Sequence, residues 1–190
     1  MTGPERPVVF FGDCLLAGAV VERGDNYPAK LEAAMRAQGI DARISNAGVS
    51  GETTGQALRR LLPTLDAQST KPDVVIISLG GNDMLQGLPP EEVRANLSRI
   101  LDVLRERRIG VVLLAMLAAP SLSPEYARDF NPIYPGLADE YQAALVPFYL
   151  QPLSLGPDHV ASDRARPTTL GVDGIVAATV DDVADALPDR

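Results

Sequence analysis

Asp73-Val-Val-Ile-Ile-Ser-Leu-Gly-Gly-Asn-Asp83 is the stretch on which the fold turns. From Val74 to Ile77 every side chain is apolar and β-branched, with no alternation. A short run of that kind, stopped by two glycines, predicts a strand buried on both faces. Beyond it, Val93, Leu97, Ile100, Leu101 and Leu104 recur at helical spacing and predict an amphipathic helix over residues 90–107. Strand, glycine turn and helix together make the core of a βαβ unit.

The same alternation runs outward in both directions. Strands are predicted at Val8-Val-Phe-Phe11, residues 42–45, residues 111–116 and Leu145-Val-Pro-Phe148. Helices are predicted over residues 28–38, with Gly39 as the stop, and over residues 54–67, 131–144 and 169–187. Five strands alternating with helices imply right-handed crossovers and a parallel sheet covered on both faces. The expected architecture is a single α/β domain over residues 1–190, a three-layer α/β/α sandwich. Its sheet is expected to be flavodoxin-like, in the order 2-1-3-4-5. Ligands of such sheets sit beyond the carboxyl ends of the strands. The loops there begin at Gly12, Asn46, Gly80, Ala118 and Leu150. The longest irregular stretches are read at residues 118–130 and 150–168.

Composition narrows the function classes. The 190 residues are 46% hydrophobic and 22% charged, ordinary values for a globular chain. A formal charge of −8 argues against nucleic acid or an anionic membrane as the main partner. No apolar run reaches the ~18–20 residues of a membrane span. Met1-Thr-Gly-Pro-Glu-Arg-Pro7 lacks the apolar core of a signal peptide. The chain as written therefore reads as cytoplasmic, or as periplasmic or secreted if a leader was trimmed. One cysteine forms no internal disulfide, and one histidine with one cysteine builds no usual zinc site. No metal and no cofactor is expected. The chain has neither Gly-x-Gly-x-x-Gly after a strand nor a P-loop, which sets nucleotide binding aside.

Three of the loops carry residues with chemistry. Gly12-Asp-Cys-Leu15 puts a nucleophile directly after the first strand, at the start of a helical turn whose N–H groups can hold an oxyanion. The plainer reading of Cys14 is a small buried hydrophobe. Ser50-Gly-Glu-Thr53 brings backbone close to whatever lies above the sheet, or is simply a strand-to-helix turn with Thr53 or Thr54 as cap. Asn82 offers two N–H donors, or makes an Asx turn.

Taken together and in order, Gly12-Asp13-Cys14-Leu15, Ser50-Gly51-Glu52-Thr53 and Gly80-Gly81-Asn82-Asp83 resemble three motif blocks of the SGNH (GDSL-type) hydrolases. Ser78-Leu-Gly-Gly-Asn-Asp-Met-Leu85 and Asp129-Phe-Asn-Pro-Ile-Tyr-Pro135 are similar to the small arylesterase and lysophospholipase/thioesterase branch. The resemblance implies hydrolysis of small-molecule esters or thioesters. It implies an oxyanion hole made by the Cys14 N–H, the Gly51 N–H and the Asn82 side chain. It implies a triad at positions 14, 163 and 166. The family carries serine at the first of these and histidine at the last, in an Asp-x-x-His-Pro motif. This chain has Cys14 and, in Asp163-Arg-Ala-Arg-Pro167, Arg166.

Arginine is no general base at neutral pH, because its pKa is above ~12 and it offers no lone pair. A serine beside it would stay protonated. A cysteine is already partly thiolate, and a nearby guanidinium raises that fraction. Asp163 and Arg166 can equally form a solvated surface pair. His159, the one histidine, lies four residues before Asp163 and matches no family position. Two functions therefore stand: a weakened ester or thioester hydrolase acting through Cys14, or a catalytically inactive relative that binds acyl or aryl ligands.

Overall fold

The computed structural model of the chain describes residues 3–13, 24–150 and 168–189. Within them run β1 (Arg6–Gly12), α1 (Tyr27–Ala37), β2 (Ala42–Asn46), α2 (Thr54–Asp66), β3 (Val74–Ser78) and α3 (Gly81–Leu85). These are followed by α4 (Pro90–Glu106), β4 (Gly110–Leu114), α5 (Pro124–Phe130), α6 (Ile133–Tyr141), β5 (Ala144–Val146) and α7 (Thr169–Asp185).

The strands form one five-stranded sheet in the order β2-β1-β3-β4-β5. Every neighbouring pair is parallel, as expected from the alternation. The register sets Phe10 opposite both Asn46 and Ile76, and Gly12 opposite Ser78. The chain steps from β1 out to β2 and then back across to β3, β4 and β5. With right-handed crossovers, that reversal puts α1 on one face and α2, α4 and α6 on the other. The contacts agree: α1 packs on α7, while α2 and α6 both pack on α4. The result is an α/β/α sandwich. All of β3 is buried, as are Val8 to Gly12 of β1 and Val112 to Leu114 of β4. β2 is half-covered, as an edge strand should be, and shows Arg43 and Asn46 to solvent.

The sequence-based boundaries need adjustment in three places. Residues 118–130, read as irregular, contain α5, started by Ser123, whose hydroxyl accepts from Tyr126 N, and by Pro124 in its first turn. The helix read over residues 131–144 is shorter, because Asn131 and Pro132 separate α6 from α5. Asn131 is spent elsewhere: its Oδ1 accepts from Ala118 N at 2.7 Å. The last strand ends at Val146, ahead of Pro147, which has no N–H for the ladder.

Candidate active site

The three motif loops meet beyond the carboxyl ends of β1, β2 and β3. Loop one leaves β1 at Gly12, and Asp13 makes an isolated parallel bridge to Val49 of loop two. Two backbone bonds hold it there: Val49 N donates to Gly12 O at 2.9 Å, and Asp13 N donates to Ser78 O at 3.0 Å. Asp13 is buried at the junction.

Asn82 links this loop to the other two. Its Nδ2 donates to Glu52 O at 3.0 Å and to Asp13 Oδ2 at 3.3 Å. Asn82 is not in an Asx turn. It is the second residue of α3, a short helix that follows Gly80. The sequence reading missed α3 because a single helical turn leaves no periodicity. Gly80 is required here: its φ is +110°, and a Cβ at that position would collide with the Tyr134 hydroxyl. That hydroxyl donates to Leu79 O at 2.7 Å, so buried Tyr134 of α6 holds the turn that aims Asn82.

Loop two enters α2 through a capping box. The Thr53 hydroxyl accepts from Gln56 N, and Gln56 Oε1 accepts from Thr53 N at 3.0 Å. The expected cap is present, and it stands two residues after Gly51, whose φ is +71°. Asp83 then fastens loop two to α3. It is fully buried and accepts from Thr54 N at 2.9 Å and from Thr54 Oγ1 at 2.5 Å. Asn96 of α4 donates to the same Thr54 hydroxyl at 3.1 Å.

Beneath the loops, the Ser78 and Tyr149 hydroxyls share a buried hydrogen bond of 2.9 Å. Burial first, and then the Asp13 charge, push the Tyr149 phenol well above its ordinary range. Burial does the same to Tyr134, reinforced by Tyr149 and the Asp83 and Asp13 charges. Both phenols therefore stay neutral and serve as hydrogen-bonding struts.

Among the predicted site residues, Gly51 on loop two and Asn82 at the start of α3 both lie beyond the carboxyl ends of the strands. Cys14, Asp163, Arg166 and His159 lie outside the described residues. Cys14 follows Asp13, the last described residue of loop one, in the sequence. The chemistry available is polarisation: an amide with both N–H groups held, beside a glycine backbone, at the carboxyl ends of parallel strands. The bracing roles of Thr54, Tyr134 and Tyr149 were not anticipated; Thr54 stood only as a candidate cap, and Tyr134 only as part of Asp129–Pro135.

Comparison with known proteins bears on the family and the fold. Residues 10–175 match the family described as GDSL-like lipase/acylhydrolase. The chain belongs to that family. This acylhydrolase is 34% identical to an arylesterase of Vibrio mimicus over 160 residues, 84% of this chain and 79% of the relative. It is 31% identical to thioesterase 1/protease 1/lysophospholipase L1 of Escherichia coli K12, again over 84% of this chain and 74% of the relative. Among solved structures, the SGNH-hydrolase esterase AlinE4 is 49% identical with a TM-score of 0.83, covering 98% of this chain and 99% of that one.

Proposed function

We propose that this acylhydrolase cleaves carboxylic esters and thioesters with good leaving groups through an acyl-enzyme on Cys14. The observation that carries the reading is the meeting of Asn82, Glu52 and Asp13 over the strand ends, one residue from Cys14. Family membership and the arylesterase and thioesterase relatives support the substrate class.

The Cys14 thiolate attacks the carbonyl carbon and a C–S bond forms. The carbonyl oxygen takes the negative charge, stabilised by the N–H groups of Cys14 and Gly51 and by Asn82 Nδ2. The C–O or C–S bond to the leaving group then breaks. Arg166 holds the thiolate by charge and donates no proton, so the group departs as phenolate or thiolate. Asp163 orients Arg166. Water completes the cycle: it attacks the acyl thioester, the C–S bond breaks, and carboxylate and Cys14 thiolate are released together with two protons to solvent. No residue of this set activates that water, so the second step is slow. Exposed Val49 and Leu117 on the loops after β2 and β4, and Leu85 at the end of α3, suit an apolar acyl or aryl group.

Mixing the purified protein with an activated aryl ester tests this. A burst of about one product per chain, with one acyl group on Cys14 by intact mass, is the expected outcome. A second reading, a binding protein without turnover, is favoured by arginine standing where the family has histidine. Saturable binding with neither burst nor adduct would establish it.

A further inference from the structure

One ion pair under the loops, its carboxylate buried and its guanidinium partly covered, has no part in the acyl transfer just described. Glu52 is 4% exposed, and Arg60 of α2 grips both of its oxygens: Nε to Oε1 and Nη2 to Oε2, each at 2.6 Å. The guanidinium lies over the Phe11 ring of β1, its carbon 4.3 Å from the ring centre. Nη2 also reaches Gly12 O at 3.5 Å. Arg60 Nη1 contacts Thr64 Oγ1 at 3.5 Å, one turn along the same helix.

A pair of this sort, with the carboxylate buried and the guanidinium partly covered, is a poor device for stability alone. Desolvating the carboxylate offsets much of what the attraction returns. Its location is more informative. The carboxylate belongs to Glu52, whose backbone carbonyl is the acceptor that holds Asn82. Gly51 precedes it and the helix cap Thr53 follows it. The guanidinium belongs to a rigid helix and touches the end of β1 two and three residues before Cys14. One planar group thus contacts the backbone or ring of loop one and the side chain of loop two. Through Glu52 O it also sets where Asn82 points.

We infer that Arg60, through Glu52, is a positioning residue of the oxyanion hole: it holds the Gly51 N–H and Asn82 Nδ2 in register with the end of β1 at Gly12. The inference rests on the acyl-transfer reading above and adds residues to it. Its consequence is specific. The transition-state oxygen needs the donors within a fraction of an ångström, whereas the apolar part of the substrate does not. Loss of the pair therefore lowers the rate of acylation more than it weakens binding.

The test uses Arg60→Met, which keeps an unbranched stem over Phe11, together with Arg60→Lys and Glu52→Gln. Acylation of Cys14 by an aryl ester is timed by quenched-flow mass spectrometry over a range of ester concentrations. The exchange of the Asn82 side-chain amide protons is followed by NMR in the ligand-free protein. Arg60→Met should lower the saturated acylation rate on the order of tenfold to a hundredfold, with half-saturation within about threefold, and should speed Asn82 exchange. Arg60→Lys should recover only part of the rate, because an ammonium cannot grip both carboxylate oxygens. Glu52→Gln keeps the side-chain shape and covers the case in which Arg60→Met fails to fold. An unchanged acylation rate, or a loss confined to half-saturation, overturns the inference. If the unmodified protein forms no adduct, the acyl-transfer reading falls by itself. Unchanged Asn82 exchange in the variants would then overturn the positioning role on its own.

Discussion

Asn82 Nδ2 donates to the backbone carbonyl of Glu52 across 3.0 Å, joining the start of α3 to the loop that enters α2. The residues stand 30 apart in the chain. The bond fixes one of the two Asn82 N–H groups. The other points to Asp13 Oδ2 at the longer distance of 3.3 Å. A substrate oxygen carrying developing charge would therefore compete with a carboxylate for a donor already aimed at the mouth of loop one.

Asn82→Ala should lower acylation by about 10²–10³-fold, the usual effect of removing one oxyanion donor. Asn82 is only half-buried, so the melting temperature should move little. Timed mass spectrometry of the Cys14 adduct, beside a calorimetric melt, checks both halves. A normal rate with an intact fold would show that Asn82 does not polarise the substrate.

Cys14→Ser alone should abolish acylation, since Arg166 cannot take the serine proton. Cys14→Ser combined with Arg166→His should turn over aryl esters steadily, because the new base and Asp163 act as a unit. Steady-state rates of the four proteins in that cycle are the measurement. Full activity in the Cys14→Ser single variant would reveal another base.

Alkyl esters should react far more slowly than aryl esters or thioesters, because an alkoxide departs poorly when nothing protonates it. Comparing phenyl and ethyl esters of one acid, by product release and by adduct mass, tests this. Equal rates would require a general acid that the proposed triad lacks.

Asp83→Ala should destabilise the fold and slow the chemistry together. It leaves the Thr54 N–H buried without its acceptor, at a cost of about 1–3 kcal/mol. It also unties α2 from α3, the two elements whose first turns flank Gly51 and carry Asn82. Chemical denaturation and acylation kinetics on the same preparation give both numbers.

Stability should fall steeply as pH rises above about 10, the ordinary tyrosine pKa. Burial pushes Tyr27, Tyr134 and Tyr149 above that value in the folded chain. Above pH ~10 the unfolded chain sheds these protons first, so it binds fewer than the native state. Stability is fully present below that pH and lost above it, by up to about 1.4 kcal/mol per pH unit for each tyrosine. Denaturant melts between pH 8 and 11 should show the decline. Tyr27→Phe, which gives up only the Thr179 hydrogen bond at 2.7 Å, should make it shallower.

Much of this was written in local pattern. Val74 to Ile77 announce a strand covered on both faces, and the leucines and valines of residues 90–107 a helix lying on it. The order of Gly12-Asp13, Ser50-Gly51 and Gly80-Gly81-Asn82 after successive strands puts all three beyond the carboxyl ends of the strands. That holds because parallel strands all present their carboxyl ends to the same side. Elements too short to repeat were not legible. α3 is one turn, and α5 hides in a stretch rich in serine and proline.

The sequence by itself determined the layers, the parallel sheet and the loops that carry chemistry, because periodicity and turn residues act over a few neighbours. Only the tertiary structure decided how the loops are braced. Asn82 meets Asp13 across 69 residues, Tyr134 reaches Leu79 O across 55, and Ser78 meets Tyr149 across 71. Arg60 could have faced solvent from α2 as Arg59 does. One helical step of 100° turns it inward instead, onto Glu52 and Phe11. Such contacts depend on where the folded backbone sets two distant residues, and no short-range pattern encodes that distance.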